Sequence, residues 1–349
     1  MLALDAASPA VLRPGIDEGW LPSIAALEAR GRSAKTRSVE GFYVGATWPS
    51  FAMGLGPGHH GIYWLDRVLP GTYRTQRAGA SDLVPCPTLW DRVADTGRDV
   101  LVLDVPLCGL NAERRGVQVV EWGVHDAVFG YHAAPASWEA ELRSRYGPHP
   151  APPHCDAVRS PEEQEAFAGQ LVRGAGVRAK WTRDLFDRYP EWGFAIQVFS
   201  ETHCVGHQLW HTHDPRHPGW DAEGPDLVRR VYGAVDEAVG EIIEAAGPDT
   251  TVALVDLHGM AAAGGHSLLL REVLIRLGYE MPQGGAPTAP GDERTSSSGP
   301  PAGIPGPRDV VRSLYRALVP GGLRDRIYDW RQRANQSRGI GSPLDIDPA

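Results

Sequence analysis

Lysine is almost missing from this sequence. Of 34 basic residues only Lys35 and Lys180 are lysines, so arginine supplies nearly every cation, including any that would clamp an anion. The net charge of −9 argues against a general nucleic-acid binder, which normally shows a basic patch or stripe, and leaves room for a local basic pocket. Cysteine is scarce as well. Cys86, Cys108, Cys155 and Cys204 lie scattered without CxxC spacing, which argues against a disulfide scaffold and fits a reducing compartment. No run of eighteen apolar residues occurs, so no membrane span is expected. The opening MLALDAASP has neither a basic start nor a long apolar stretch and does not fit a secretory signal. Together these absences predict a cytoplasmic protein. What is present is ordinary for a globular chain with a substantial core: 349 residues, 42% hydrophobic and 22% charged.

Four short apolar runs end in polar or small residues: 2–9, stopping at Asp5, then 99–106, 193–203 and 251–259. Between them lie helix-like stretches at 21–31, 88–97 and 226–247. The last places Leu227, Val231, Ala234, Val235, Val239, Ile242 and Ile243 close to helical spacing before Gly247. Strands alternating with helices predict an α/β fold, a mostly parallel central sheet with helices on both faces. The main domain is expected over 1–281, with 108–192 a candidate cap or insert. Residues 282–309 are rich in Gly, Pro and Ser and read as a flexible segment; 310–336 read as C-terminal helices and 337–349 as a tail.

In open α/β sheets ligands gather outside the carboxyl ends of the strands. Asp5, Glu201 with His203, and Asp256 with His258 all fall at such ends, so residues far apart in sequence are expected to converge. In SETHCVGHQLWH (200–211), His203, His207 and His211 recur every four residues and lie on one face if the stretch is helical. That face reads as a chelating arrangement or as a polar seam. Asp256 and His258 after a buried strand read as metal ligands, or as a turn. Thr47, ahead of Trp48-Pro49, reads as a helix cap or as a nucleophile at a helix start, where free N–H groups suit an anion. EWGVHD (121–126) adds His125 and Asp126 as candidates for the pocket rim, against an equally good reading as a turn.

Taken in order, Asp5, TWPSFAMGLGPGHHGIYW (47–64), ETHCVGHQLWH (201–211) and LHGM (257–260) resemble the alkaline phosphatase superfamily. Within it the chain looks most like the type I phosphodiesterase/nucleotide pyrophosphatase group, over about residues 2–280. The resemblance implies an alkaline phosphatase-like fold with a site for one or two divalent ions, zinc by preference. It implies a metal-dependent phosphoester hydrolase using a Thr nucleophile on a small-molecule phosphoester. Carried over by motif, Asp5, Thr47 and His258 fall on the first metal's set, and His207 falls on the second's.

Three departures follow. The second site's Asp position is His203. The family's SDHGM reads VDLHGM, which puts Asp256 one residue early. No histidine follows His266, so the family's distant C-terminal ligand is missing. The expectation is one well-held metal at Asp5, Thr47, Asp256 and His258. A second, weaker one is expected at His203 and His207, with Glu201, His211 or His266 as candidate substitutes. A non-catalytic or single-metal binding relative is the alternative reading. A sulfatase or phosphonate hydrolase is less favoured, since Thr47 cannot be matured to formylglycine.

Overall fold

The computed structural model describes residues 1–278 except 39–40, 43, 65, 70, 73, 78–85, 112, 126, 129, 153–156, 158 and 263–265. Asp126, Cys155, the 282–309 segment, the helices read over 310–336 and the tail therefore lie outside the described residues. Residues 1–261 form one compact unit; the segment beginning at 262 belongs to a second.

The first unit is built on a six-stranded sheet. In chain order its strands are β1 (Leu2–Leu4), β4 (Asp99–Leu103), β5 (Gly116–Val120), β6 (His132–Ala134), β7 (Trp192–Phe199) and β8 (Leu254–Val255). A separate antiparallel pair consists of β2 (Asp66–Val68) and β3 (Thr75–Arg77). The order across the large sheet is β6-β5-β4-β7-β1-β8, parallel throughout except for the antiparallel edge strand β6. Nearly continuous Val/Leu/Ile runs are what strands covered on both faces require.

The pleat sorts these runs onto two faces. Leu2, Leu4, Leu101, Leu103, Ala195 and Phe199 belong to one cluster. It also holds buried residues of α2 (Pro22–Arg30), α7 (Pro161–Arg188), α8 (Glu201–Leu209) and α9 (Leu227–Ala246). The intervening Ala3, Val100, Val102, Ile196 and Val198 pack on the other face with Trp48 and Ala52 of α3 (Thr47–Met53) and Trp90 of α5 (Leu89–Ala94). The α/β expectation thus holds, with helices on both sides.

Local signals set the helix ends. Ser160 and Glu163 close a capping box on α7, with Pro161 at its first position. Thr88 and Asp91 do the same for α5. Asp226 caps α9, and Gly247, at φ 79°, stops it. α1 (Pro9–Asp17) starts at the Ser8 cap, and its length escaped the apolar-run reading because Arg13 and Pro14 interrupt the pattern. The 108–192 stretch, read as a candidate cap, supplies β5, β6, α6 (Ser137–Tyr146) and the 28-residue α7. No helix among the described residues is long and apolar enough to cross a membrane. Cys86, Cys108 and Cys204 take part in no disulfide.

Candidate metal centre

Parallel strands end on one rim, and this rim is acidic. Asp5, Asp104, Glu121 and Asp256 lie just past β1, β4, β5 and β8, and Ser200 and Glu201 follow β7. The register pairs Leu4 with Phe199 and Ala3 with Val255, so the Asp5, His203 and Asp256 segments leave the sheet side by side.

Asp5 is the hub. Its N–H donates to the Phe199 carbonyl at 2.9 Å, and its own carbonyl accepts the Thr202 hydroxyl at 2.6 Å. Oδ1 accepts the Trp48 indole N–H at 2.9 Å, which ties the start of α3 to the rim. Oδ2 stands 2.7 Å from His203 Nδ1, and Oδ1 stands 3.4 Å from His258 Nε2. Burial alone would push the Asp5 carboxyl up, but His203 and then His258 outweigh it and hold Asp5 far below the usual carboxylate range. His258 feels the converse: burial disfavours its charge, yet the Asp5 carboxylate raises it overall. Burial pushes the Asp256 carboxyl up to about 7. Asp256 Oδ1 is buried and has no hydrogen-bond partner among the described residues. A buried oxygen left in that condition is costly, and a cation is one of the few things that satisfies it.

On the other side of Asp5 three imidazoles gather. His203 Nε2 is 3.0 Å from His207 Nε2, one turn along α8. His125, from the loop after β5, lies over both, its ring centroid 3.9 Å from that of His203 and 5.0 Å from that of His207. One nitrogen from each of the three lies within 4.8 Å of the others. His125, expected at the pocket rim, thus lies beside the two histidines expected at this end.

Thr47 opens α3 and is 6% exposed, and its hydroxyl donates to the Val44 carbonyl at 2.6 Å. The helix cap is Ala46, so the cap reading of Thr47 is corrected to the first helical position. Nearby Ser50 and His60, the last residue of α4 (Pro57–His60), lie 2.9 Å apart, but His60 Nδ1 accepts the Ile62 N–H, which leaves the ring proton on Nε2. His60 therefore donates to Ser50 and cannot take its proton.

Two candidates leave the cluster. Glu201 is fully buried and engaged by Arg178 at 2.9 and 3.2 Å and by His149 at 3.0 Å. Burial would raise its carboxyl, but Arg178 and His149 hold it below its ordinary value. His211 falls past the end of α8 in a 3-10 turn and bonds Gln164 at 3.1 Å, because the helix tightens after Leu209 and rotates it away. His266 opens α10 (His266–Arg276), which lies in the second unit.

The pattern reading missed the buried support. Arg178 donates to Asp104 at 2.7 Å and to the Gly123 carbonyl at 2.8 Å, and Asp104 accepts the Trp122 and Gly123 N–H groups at 2.7 and 2.8 Å. An arginine in register with the buried Leu171, Ala175 and Leu185 of α7 was the available signal.

A family model described as type I phosphodiesterase / nucleotide pyrophosphatase matches residues 1–297. The chain belongs to the type I phosphodiesterase/nucleotide pyrophosphatase family. No curated protein matches it. Similar solved structures include phosphonoacetate hydrolase from Sinorhizobium meliloti 1021 in complex with phosphonoformate, 20% identical with a TM-score of 0.46. The same hydrolase in complex with phosphonoacetate is 16% identical with a TM-score of 0.42. Each match covers 70% of this chain and 53% of the other, so the chain spans about half the length of those hydrolases. In this member of the type I phosphodiesterase/nucleotide pyrophosphatase family, two carboxylates, Asp5 and Asp256, and four imidazoles meet at the rim.

Proposed function

We propose that the protein is a metal-dependent phosphoester hydrolase with Thr47 as its nucleophile. The observation that carries this reading is the meeting of Asp5, His203 and His258 beside Asp256, whose buried Oδ1 lacks a hydrogen-bond partner. The donor set fits a divalent ion: Asp5, Asp256 and His258 with Thr47 on one side, His203 and His207 on the other. Such an ion, when bound, lowers the pKa of a hydroxyl and neutralises charge on a phosphoryl group.

The chain's own residues do the rest. Trp48 holds the start of α3 against Asp5, which keeps Thr47 at the rim. Thr47 exchanges its bond to the Val44 carbonyl for attack on phosphorus. The Thr47 Oγ1–P bond forms as the leaving alcohol departs, and water then cleaves the phosphothreonine. The substrate is a small-molecule phosphoester.

The test is a panel of aryl phosphate mono- and diesters with Thr47→Ala and Thr47→Ser. Thr47→Ala should fold normally and lose turnover by at least about 100-fold, as loss of an activated nucleophile demands. Thr47→Ser should keep part of it. Near-normal turnover in Thr47→Ala refutes the nucleophile. Metal uptake by the wild type without turnover on any ester favours the binding-protein reading instead.

A further inference from the structure

We infer that His125, His203 and His207 form an all-nitrogen site for a borderline divalent ion such as zinc, His125 supplying its third ligand from the loop after β5. The proposal rests on the metal-dependent reading above and names the ligand set and the ion class at one end of that site.

The first support is the orientation of His203. His203 Nδ1 lies 2.7 Å from Asp5 Oδ2, and a carboxylate oxygen in such a contact accepts the ring N–H. Its other ring nitrogen, Nε2, faces His207 Nε2 at 3.0 Å. A carboxylate that accepts the far N–H of a ligating imidazole is the usual device for fixing its tautomer and raising its basicity. On a tetrahedral zinc with bonds of about 2.0–2.1 Å, two nitrogens stand roughly 3.3 Å apart. A small opening of the pair is enough.

The second support is the anchoring of His125. Its loop is pinned on both flanks. On one, Asp104 accepts the Trp122 and Gly123 N–H groups, and Arg178 holds the Gly123 carbonyl. On the other, Glu121 accepts the Val128 and Gly130 N–H groups at 2.7 and 2.5 Å. Asp104 and Glu121 adopt left-handed backbone, φ 60° and 55°, which non-glycine residues keep only where such contacts hold them. Arg178 also binds Glu201, the first residue of the helix that carries His203 and His207. One buried guanidinium therefore links the His125 loop to the His203 helix.

The third support is charge. Imidazole side chains bring no negative charge. Magnesium and manganese favour oxygen donors, whereas imidazole suits zinc, cobalt and nickel.

Chelator-stripped protein should be titrated with Co²⁺ and Zn²⁺, followed by visible absorption and by metal content after dialysis. The wild type should take up an ion with the bands of a four- or five-coordinate nitrogen-rich site. Equal concentrations of Mg²⁺ or Mn²⁺ should not displace it. His125→Ala and, separately, His207→Ala should weaken that uptake beyond the 10–100-fold that a change to a supporting residue costs. His207 is exposed, so its replacement keeps the test open should the loop variant misfold. Unchanged affinity and spectrum in His125→Ala overturn the proposal. So does displacement of the ion by Mg²⁺ or Mn²⁺. An ion lost in Asp256→Asn, with both histidine variants unaffected, overturns this site and leaves the metal-dependent reading standing. No uptake at all by the wild type overturns both.

Discussion

Replacing Arg178 by Met keeps most of the side chain's bulk and removes its charge. Arg178, Asp104 and Glu201 side chains are all fully buried, with N–O distances of 2.7 Å to Asp104 and 2.9 Å to Glu201. The variant leaves two buried carboxylates facing each other's field, with His149 and the Trp122 and Gly123 N–H groups beside them. Removing one member of a buried ion pair costs about 3–5 kcal/mol, most of it from the uncompensated charge left behind. Total stabilities of about 5–15 kcal/mol make that a large fraction. At about 2–4 °C per kcal/mol the midpoint of thermal unfolding should fall by ~6–20 °C.

The pH dependence gives the charge argument a signature of its own. Glu201 in the wild type is held below its ordinary value, so its contribution is present above about pH 4.3 and is lost as pH falls through the folded value. Without Arg178, burial wins and the carboxyl is raised. The variant then gains stability on acidification from neutral pH relative to the wild type, which shares its other titrating groups. The gap between the two should be widest near pH 7–8 and narrow toward pH 5. Adding Glu201→Gln to Arg178→Met should recover at least about 1 kcal/mol, since the two sites share one interaction. Urea unfolding followed by circular dichroism at three pH values measures all of this. A loss below about 1 kcal/mol, or a gap that does not vary with pH, refutes the reasoning.

Two glycines on α7 should respond with opposite signs. A Cβ on Gly174 would stand 2.5 Å from His149 Nε2 and 2.8 Å from Glu201 Oε1, both fixed by the network, so Gly174→Ala should destabilise by about 1–3 kcal/mol. A Cβ on Gly176 meets nothing within 4 Å, so Gly176→Ala should stabilise by about 0.5–1 kcal/mol through helix propensity; equal melting shifts for the pair would contradict both. Asp236 of α9 accepts the Ser23 and Ile24 N–H groups at 3.0 and 2.8 Å and stands in for the side-chain cap that α2 lacks at Leu21. Asp236→Ala should therefore cost about 1–3 kcal/mol, with hydrogen exchange rising first at the start of α2; exchange unchanged there would count against it.

The sequence alone determined the sheet and the rim. β-branched and leucine runs that end in Asp5, Asp256 and the 200–203 stretch are local facts, and strands of one direction must end on one edge. The family motifs around Thr47, His207 and His258 were likewise local, since each is a short contiguous pattern. Four-residue spacing on a helix was sufficient to bring His203 to His207. It failed for His211, because the helix tightens after Leu209 and no pattern of histidines records that turn. Only the tertiary structure decided what surrounds Asp5. Trp48, His203 and His258 reach it from positions 43, 198 and 253 residues away in the chain, and no local spacing encodes such a meeting. The same holds for Glu201 and His125. Both sit next to polar neighbours at strand ends and look alike in sequence. Arg178, 23 residues before Glu201, turns one into a buried counter-ion. Its bond to Gly123, 55 residues away, holds the loop that delivers the other to the histidine pair.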